Sequence, residues 1–292
     1  MAKNLNRREF GRAVRNTLTG MALLAAPVAF AGESRTSLGK LFSIDIKNLD
    51  GELVFDSEVL TDYANDYGNI VHKIPSVILR PGSVSDIIKV IKYANVHNIK
   101  VAVRGQGHCM YGQTQVENGI AIDMATMKNL QILSPDLVKV GGGSTWGPVM
   151  HESYKTKRTL PVVNDTFLSV GGSLSTGGFG PTGYNRGFMV DQVKELEVVT
   201  GSGELVTCSD AKNPDLFNAM LAGMGQCGII VSATTKLVSA PTHVLFIKME
   251  YETQAAAAHD LEILARDERF QHLDGRSLAL PFGGLQYYIE GG

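Results

Sequence analysis

The chain is poor in the residues that would announce a metal centre or a disulfide scaffold. Its 292 residues hold three cysteines, Cys109, Cys208 and Cys227, too few and too far apart for paired-ligand spacing or a disulfide framework. Cys208 and Cys227 each lie in or beside an apolar strand pattern, so both are expected as buried free thiols. An excess of one charge is also lacking: 27 Lys and Arg against 29 Asp and Glu leave a formal net charge of −2. No basic stripe interleaved with aromatics lies beyond the N-terminus, which argues against nucleic acid as a partner. No apolar run reaches the roughly 20 residues of a transmembrane helix, so no stable membrane span is expected.

What is present suits an ordinary globular protein of two domains, with 44% apolar residues to build its cores. Residues 1–31 differ in kind. Asn6-Arg7-Arg8-Glu9-Phe10 precedes an apolar run from Met21 that closes on Ala29-Phe30-Ala31. That is the layout of a secretory signal cleaved after Ala31, the competing reading being a basic, weakly apolar helix. The arginine pair followed by Phe10 is similar to a twin-arginine signal, which exports proteins already folded, so a periplasmic or secreted location is the expectation. Export after folding suits a protein that acquires a cofactor first.

Residues 32–74 follow no clear period and read as a lead-in segment. Pro75-Ser76-Val77-Ile78-Leu79-Arg80 reads as a strand and Pro81-Gly82 as a turn. Ser83 then caps a helix in an S-x-x-D pattern with Asp86, and Ile87, Ile91 and Ala94 share one face of it, with Ile88 beside them. Residues 100–103 form the next strand, completing a β-α-β unit. At its end stands Arg104-Gly105-Gln106-Gly107-His108-Cys109-Met110-Tyr111-Gly112-Gln113, a histidine set among glycines. Glycine lets the backbone take positive φ and approach a flat or charged ligand closely, so this stretch suits a loop wrapped on a cofactor.

Further strands are expected at 119–124 and 137–141, with a helix over 145–155 that carries Trp146, the single tryptophan. A second glycine-rich region follows, Val170-Gly171-Gly172-Ser173-Leu174-Ser175-Thr176-Gly177-Gly178-Phe179-Gly180. Its glycines and hydroxyls supply donors of the kind that hold a pyrophosphate or ribityl chain. Leu174 and Phe179 are out of place in a flexible linker, the competing reading. Residues 192–200 alternate and turn at Gly201-Ser202-Gly203 into 204–208, a hairpin. Asn213-Pro214-Asp215 opens a helix expected to stop at Gly223.

Gly223-Met224-Gly225-Gln226-Cys227-Gly228 matches G-x-G-x-x-G, yet it follows a helix and opens the strand 229–233. A nicotinamide dinucleotide fingerprint follows a strand and opens a helix, so a Rossmann domain is not supported. These glycines read instead as a tight helix-to-strand turn beside the cofactor. Pro241 marks a change of composition. Residues 244–247 read as a strand, 253–267 as an alanine-rich helix, and 287–290 as the start of a strand without a partner, so the second domain reads as cut short.

Four stretches carry a resemblance to a known family. R-G-Q-G-H-C-M-Y-G-Q at 104–113, S-V-G-G-S-L-S-T-G-G at 169–178, E-L-E-V-V-T-G-S-G-E-L-V-T-C-S at 195–209 and N-P-D-L-F-N-A-M-L-A-G-M-G-Q-C-G-I-I at 213–230 resemble the FAD-linked oxidases of the vanillyl-alcohol-oxidase and PCMH type, and among them the cytokinin dehydrogenases. The resemblance implies an α+β architecture, with a PCMH-type FAD-binding domain of two α/β subdomains over 75–241 and the first part of a substrate cap over 242–292. It implies FAD bonded covalently through His108, with Gly105, Gln106, Gly107, Cys109, Gln113, Ser169, Gly171, Gly172, Ser175, Gly178, Gly228 and Ile230 against the cofactor. Cys109 stands where the family usually has serine. No cysteine precedes V-G-G to make a second flavin bond.

The family's catalytic base is an aspartate a few residues before V-G-G. Asp165 is the only acid in that segment, while an ungapped match sets Asn164 in the slot, and an amide cannot take a proton. Tyr288-Ile289-Glu290-Gly291 is similar to the family's Y-V-E-G, whose glutamate binds the substrate's purine ring; an exposed strand acid is the competing reading of Glu290. The implied reaction oxidises the secondary amine of an N6-prenylated adenine to an imine by hydride transfer to flavin, followed by hydrolysis. It needs an electron acceptor that the resemblance does not identify. An alcohol or sugar oxidase of the same superfamily, and a flavin-binding module without turnover, are the competing functions.

Overall fold

The computed structural model describes Ile46, residues 48–267 and residues 269–292; the expected signal over 1–31 lies outside the described residues. The segment read as an irregular lead-in supplies a strand, β1 (Glu52–Val54), and a helix, α1 (Ser57–Tyr63). A three-residue strand is too short to show a period of two, which is why the sequence pattern hides it.

β2 (Val77–Arg80), α2 (Val84–Val96), β3 (Val101–Arg104) and β4 (Ile120–Asp123) complete the first sheet. Its order is β1-β2-β4-β3, with β4 parallel to both β2 and β3 and β1 antiparallel to β2. The β-α-β unit is therefore present with β4 between its two strands, and β3 carries its loop from the sheet edge. Ser83 caps α2 by accepting from the Asp86 amide at 3.4 Å. The buried Asp86 carboxylate accepts from the amides of Asp50 (3.0 Å), Gly51 (2.8 Å) and Gly82 (2.9 Å), tying the preceding segment to the helix start. Burial alone would push this carboxyl up, but the backbone donors outweigh it and hold it below the usual carboxylate range.

The second subdomain follows with β5 (Leu130–Ser134), β6 (Leu137–Gly141), α3 (Trp146–Tyr154), β7 (Arg158–Thr159), α4 (Val170–Thr176) and α5 (Gly183–Arg186). β8 (Val193–Thr200), β9 (Leu205–Cys208), α6 (Pro214–Met220), β10 (Gly228–Lys236) and β11 (Val238–Ser239) complete it. Its main sheet runs β5-β6-β10-β8-β9 and is antiparallel throughout. Successive side chains point to opposite faces. Val199, Ile229 and Val231 therefore join α2 and the first sheet in one core, while Val198, Ile230 and Ala233 join Trp146, Val170, Leu174 and Phe217 in another. α2 is thus packed between two sheets.

The second glycine-rich stretch opens as a helix, α4, because Val170 and Leu174 are both 0% exposed and anchor one side of it to the core. Two expectations need correction in this region. α6 ends at Met220, short of Gly223. Cys227 lies in the turn between α6 and β10 and is exposed, whereas Cys208, inside β9, is buried as expected.

Beyond Pro241, β12 (Ile247–Tyr251), α7 (Gln254–Ala265), β13 (Leu273–Ala279) and β14 (Leu285–Gly291) form an antiparallel sheet in the order β12-β14-β13, packed on α7. Of the strand expected at 244–247 only Ile247 belongs to β12, since Val244, Leu245 and Phe246 precede it as exposed coil. The strand expected to lack a partner is the central one. Among the described residues no helix is long and apolar enough to cross a membrane, and no cluster of His, Cys, Asp and Glu could hold a metal ion.

Candidate functional site

β3 delivers Arg104, whose side chain turns back beneath the following loop. Its guanidinium donates to the carbonyls of Asn65 (2.8 Å) and Tyr63 (3.3 Å) and lies 5.0 Å from the centroid of the Tyr63 ring. Gly107 has φ +68°, and a Cβ there would overlap that guanidinium, so glycine is what lets the loop fold over the arginine. The buried Asp66 accepts from the Gly112 amide at 2.8 Å, and the Tyr67 amide donates to the Cys109 carbonyl at 2.9 Å. Residues 63–67 are the bed on which the loop rests.

On that bed the His108 ring stacks on Tyr67, with centroids 3.9 Å apart and planes at 27°, and meets Phe167 edge-on at 5.2 Å. The amides of Gln106, Gly107 and His108 find no acceptor among the described residues. In the first turn of α4 the amides of Val170 and Gly171 donate to the carbonyls of Ser144 and Gly142, leaving the Gly172 amide free. Successive unbonded N–H groups around a concavity suit an anionic ligand.

The 104–113 loop and α4 enclose one continuous groove. A cavity of about 250 Å³ and another of about 170 Å³ share Gly105, Cys109, Thr114, Ser169, Gly172 and Thr176 as walls. The first also holds Gln106, Gly107, His108 and Gly178, and the second Gln113, Gly171, Ser175, Gly228 and Ile230. The structure therefore brings together every residue that the resemblance set against a cofactor. Trp146, whose Nε1 donates to Ser173 Oγ at 3.0 Å, lines the first part. Thr114 Oγ1 is buried on the shared wall beside the Cys109 thiol without a conventional hydrogen-bond partner. Burial, helped by the charge of Asp66, pushes the Cys109 thiol up, so it stays protonated at neutral pH and is a poor nucleophile.

Asp165 and Asn164 both line the first cavity, Asp165 half-buried and Asn164 exposed. The Asp165 carboxylate has no hydrogen-bond partner among the described residues, which leaves it available to a ligand. Glu290 is placed differently. It sits on β14 opposite Lys248 and Asp274, with Oε2 3.8 Å from the Arg276 guanidinium, and it lines neither part of the groove. A further cavity of about 520 Å³ shares Asn164 and Phe179 with the groove and reaches the small sheet at Asp274 and Gly275.

Tyr67, Thr114 and Phe167 are site residues that sequence reasoning missed. For Tyr67 the one available signal is its spacing four residues after Tyr63, at the end of α1.

Residues 75–209 match the family model described as the FAD binding domain. Over that segment the chain is similar to FAD binding domains. It is 34% identical over 236 residues to an uncharacterized oxidoreductase, ORF5 of the fasciation locus, from Rhodococcoides fascians, covering 80% of this chain and 54% of that protein. It is 35% identical over 243 residues to cytokinin dehydrogenase 9 of Oryza sativa subsp. japonica, covering 80% of this chain and 46% of that one. The chain thus spans about half the length of the curated relatives it matches.

Among solved structures, 6-hydroxy-D-nicotine oxidase from Arthrobacter nicotinovorans superposes with a TM-score of 0.72 at 22% identity, covering 84% of this chain and 56% of the other. Xylooligosaccharide oxidase from Myceliophthora thermophila C1 gives 0.72 at 23%, covering 88% and 55%. These likenesses show a shared fold. The groove fits FAD on its own terms: free amides at 106–108 and 172 suit the pyrophosphate, and the Thr114 hydroxyl, beside only the weakly bonding Cys109 thiol, is a polar group a ligand can satisfy.

Proposed function

We propose that this chain is the FAD-binding part of an oxidoreductase that oxidises the secondary amine of an N6-prenylated adenine to an imine, which water then cleaves. The observation that carries the reading is the convergence of His108, Asp165 and both glycine-rich stretches on one groove. Identity of about a third to cytokinin dehydrogenases over four-fifths of the chain supports the choice of substrate.

Bound FAD supplies a two-electron acceptor for the substrate's hydride. His108 would hold it as the covalent anchor, its imidazole nitrogen supplying the nucleophile for attachment. Asp165 takes the proton from the substrate nitrogen, and the Asn164 amide orients the same group. Glu290 stands outside the groove, so its role as acceptor for a purine N–H requires a substrate that extends from the groove onto the small sheet. The protein is exported by a twin-arginine-type signal over 1–31 and passes its electrons to a separate acceptor.

Purified protein tests this directly. The flavin colour should survive acid precipitation in the wild type and be lost in His108→Ala. Under anaerobic conditions isopentenyladenine should bleach the flavin while sugars and alcohols do not. Bleaching by a sugar or alcohol alone would establish the rival oxidase reading, and bleaching by no donor would leave a flavin-binding module without turnover.

A further inference from the structure

We infer that Tyr67 is the positioning residue of His108: its ring face, rather than a hydrogen bond, holds the imidazole toward the groove. The inference rests on the reading of His108 as the flavin anchor. A functional histidine is ordinarily oriented by a hydrogen bond at one ring nitrogen, which fixes the role of the other. Neither nitrogen of His108 has such a partner among the described residues. The ring instead lies on Tyr67 at 3.9 Å, with the edge contact of Phe167 at 5.2 Å.

The platform itself is well anchored. The Tyr67 amide donates to the carbonyl of Cys109, next to His108, at 2.9 Å. On either side of it, Arg104 holds the Asn65 carbonyl and Asp66 holds the Gly112 amide. Tyr67 is 64% exposed, so its ring does not serve the core. Its hydroxyl has no protein partner among the described residues, which leaves the imidazole as its ring contact. Stacking restrains the imidazole plane while leaving both nitrogens free to react. What the site needs at position 67 is therefore an aromatic face and not a hydroxyl.

Full-length Tyr67→Leu, Tyr67→Phe and His108→Ala proteins test this, with total FAD measured before acid precipitation and covalent FAD after it. Tyr67→Phe should attach added FAD at a rate within about twofold of the wild type, and Tyr67→Leu should bind FAD yet attach it about 10-fold or more slowly. Tyr67→Leu at the wild-type rate, or Tyr67→Phe as slow as Tyr67→Leu, overturns the inference. NMR relaxation of the His108 ring carbons supplies a readout independent of attachment, and decides the case if Tyr67→Leu fails to retain FAD. The ring should gain mobility in Tyr67→Leu but not in Tyr67→Phe, and unchanged mobility in both overturns the inference. Wild-type flavin fully released by acid, or covalent flavin retained by His108→Ala, overturns the anchor reading instead, and the relaxation measurement still judges the hold of Tyr67 on the ring.

Discussion

Gly105 and Ser169 meet so closely across the groove that a Cβ on Gly105 would overlap the Ser169 hydroxyl. One residue follows β3 and the other is the N-cap of α4, so their contact joins the two subdomains at the FAD site. Gly105→Ala should therefore cost about 1–3 kcal/mol of stability through overpacking, and FAD should be lost on gel filtration. Adding Ser169→Gly should restore FAD retention. Absence of rescue would show that the close approach of these two residues does not set the width of the groove.

Asp165→Asn should slow anaerobic flavin reduction by about 100-fold or more while substrate binding changes little, since the amide keeps the shape but cannot accept a proton. Asn164→Ala should weaken binding more than it slows reduction. Stopped-flow reduction at several substrate concentrations separates the two effects, and the reverse pattern would exchange the roles.

Asp86 predicts an acid limit to stability. Its folded-state value lies below its unfolded one, so the folded chain binds fewer protons and stability rises with pH across that window. The contribution is complete above the ordinary carboxylate value of about 3.9 and is lost as pH falls through the depressed native value. Asp86→Ala removes the acceptor of the part-buried amides of residues 50, 51 and 82 and should cost about 1–3 kcal/mol at neutral pH. Thermal melts should show the two proteins converging as the pH falls into the acid range.

Trp146 is the single tryptophan, is 1% exposed and lines the FAD cavity. Its fluorescence should be quenched in step with FAD uptake, by energy transfer to the flavin. Unquenched emission at full FAD occupancy would place the cofactor elsewhere. Trp146→Phe removes the bond to Ser173 and should cost about 1 kcal/mol beyond the loss of packing.

The elements written in strong periods were legible: β2, α2, β3 and the β8–β9 hairpin carry clear apolar faces and turn residues. The cofactor wall was legible because glycines and small hydroxyls recur where a ligand must come close. α4 was not, because its glycines each disfavour a helix by about 1 kcal/mol relative to alanine, and the buried Val170 and Leu174 that offset this appear only in the fold. β13 was missed because only Leu273 of its seven residues is buried, which leaves no alternation to read. Tyr67 carries little beyond its spacing from Tyr63: an exposed aromatic in an irregular segment acquires meaning when Arg104 and Asp66 fold that segment under the loop.

The central position of β14 sets an order of assembly. β12 and β13 share no ladder with each other, so on the ribosome neither has a sheet to join until residues 285–291 emerge between them. Both larger sheets are complete once β10 has been made, because all their strands precede Leu237. Domains generally fold as units during synthesis, N-terminal first. The groove can thus be built, and a cofactor taken up, while the residues of the small sheet and α7 are still unfolded.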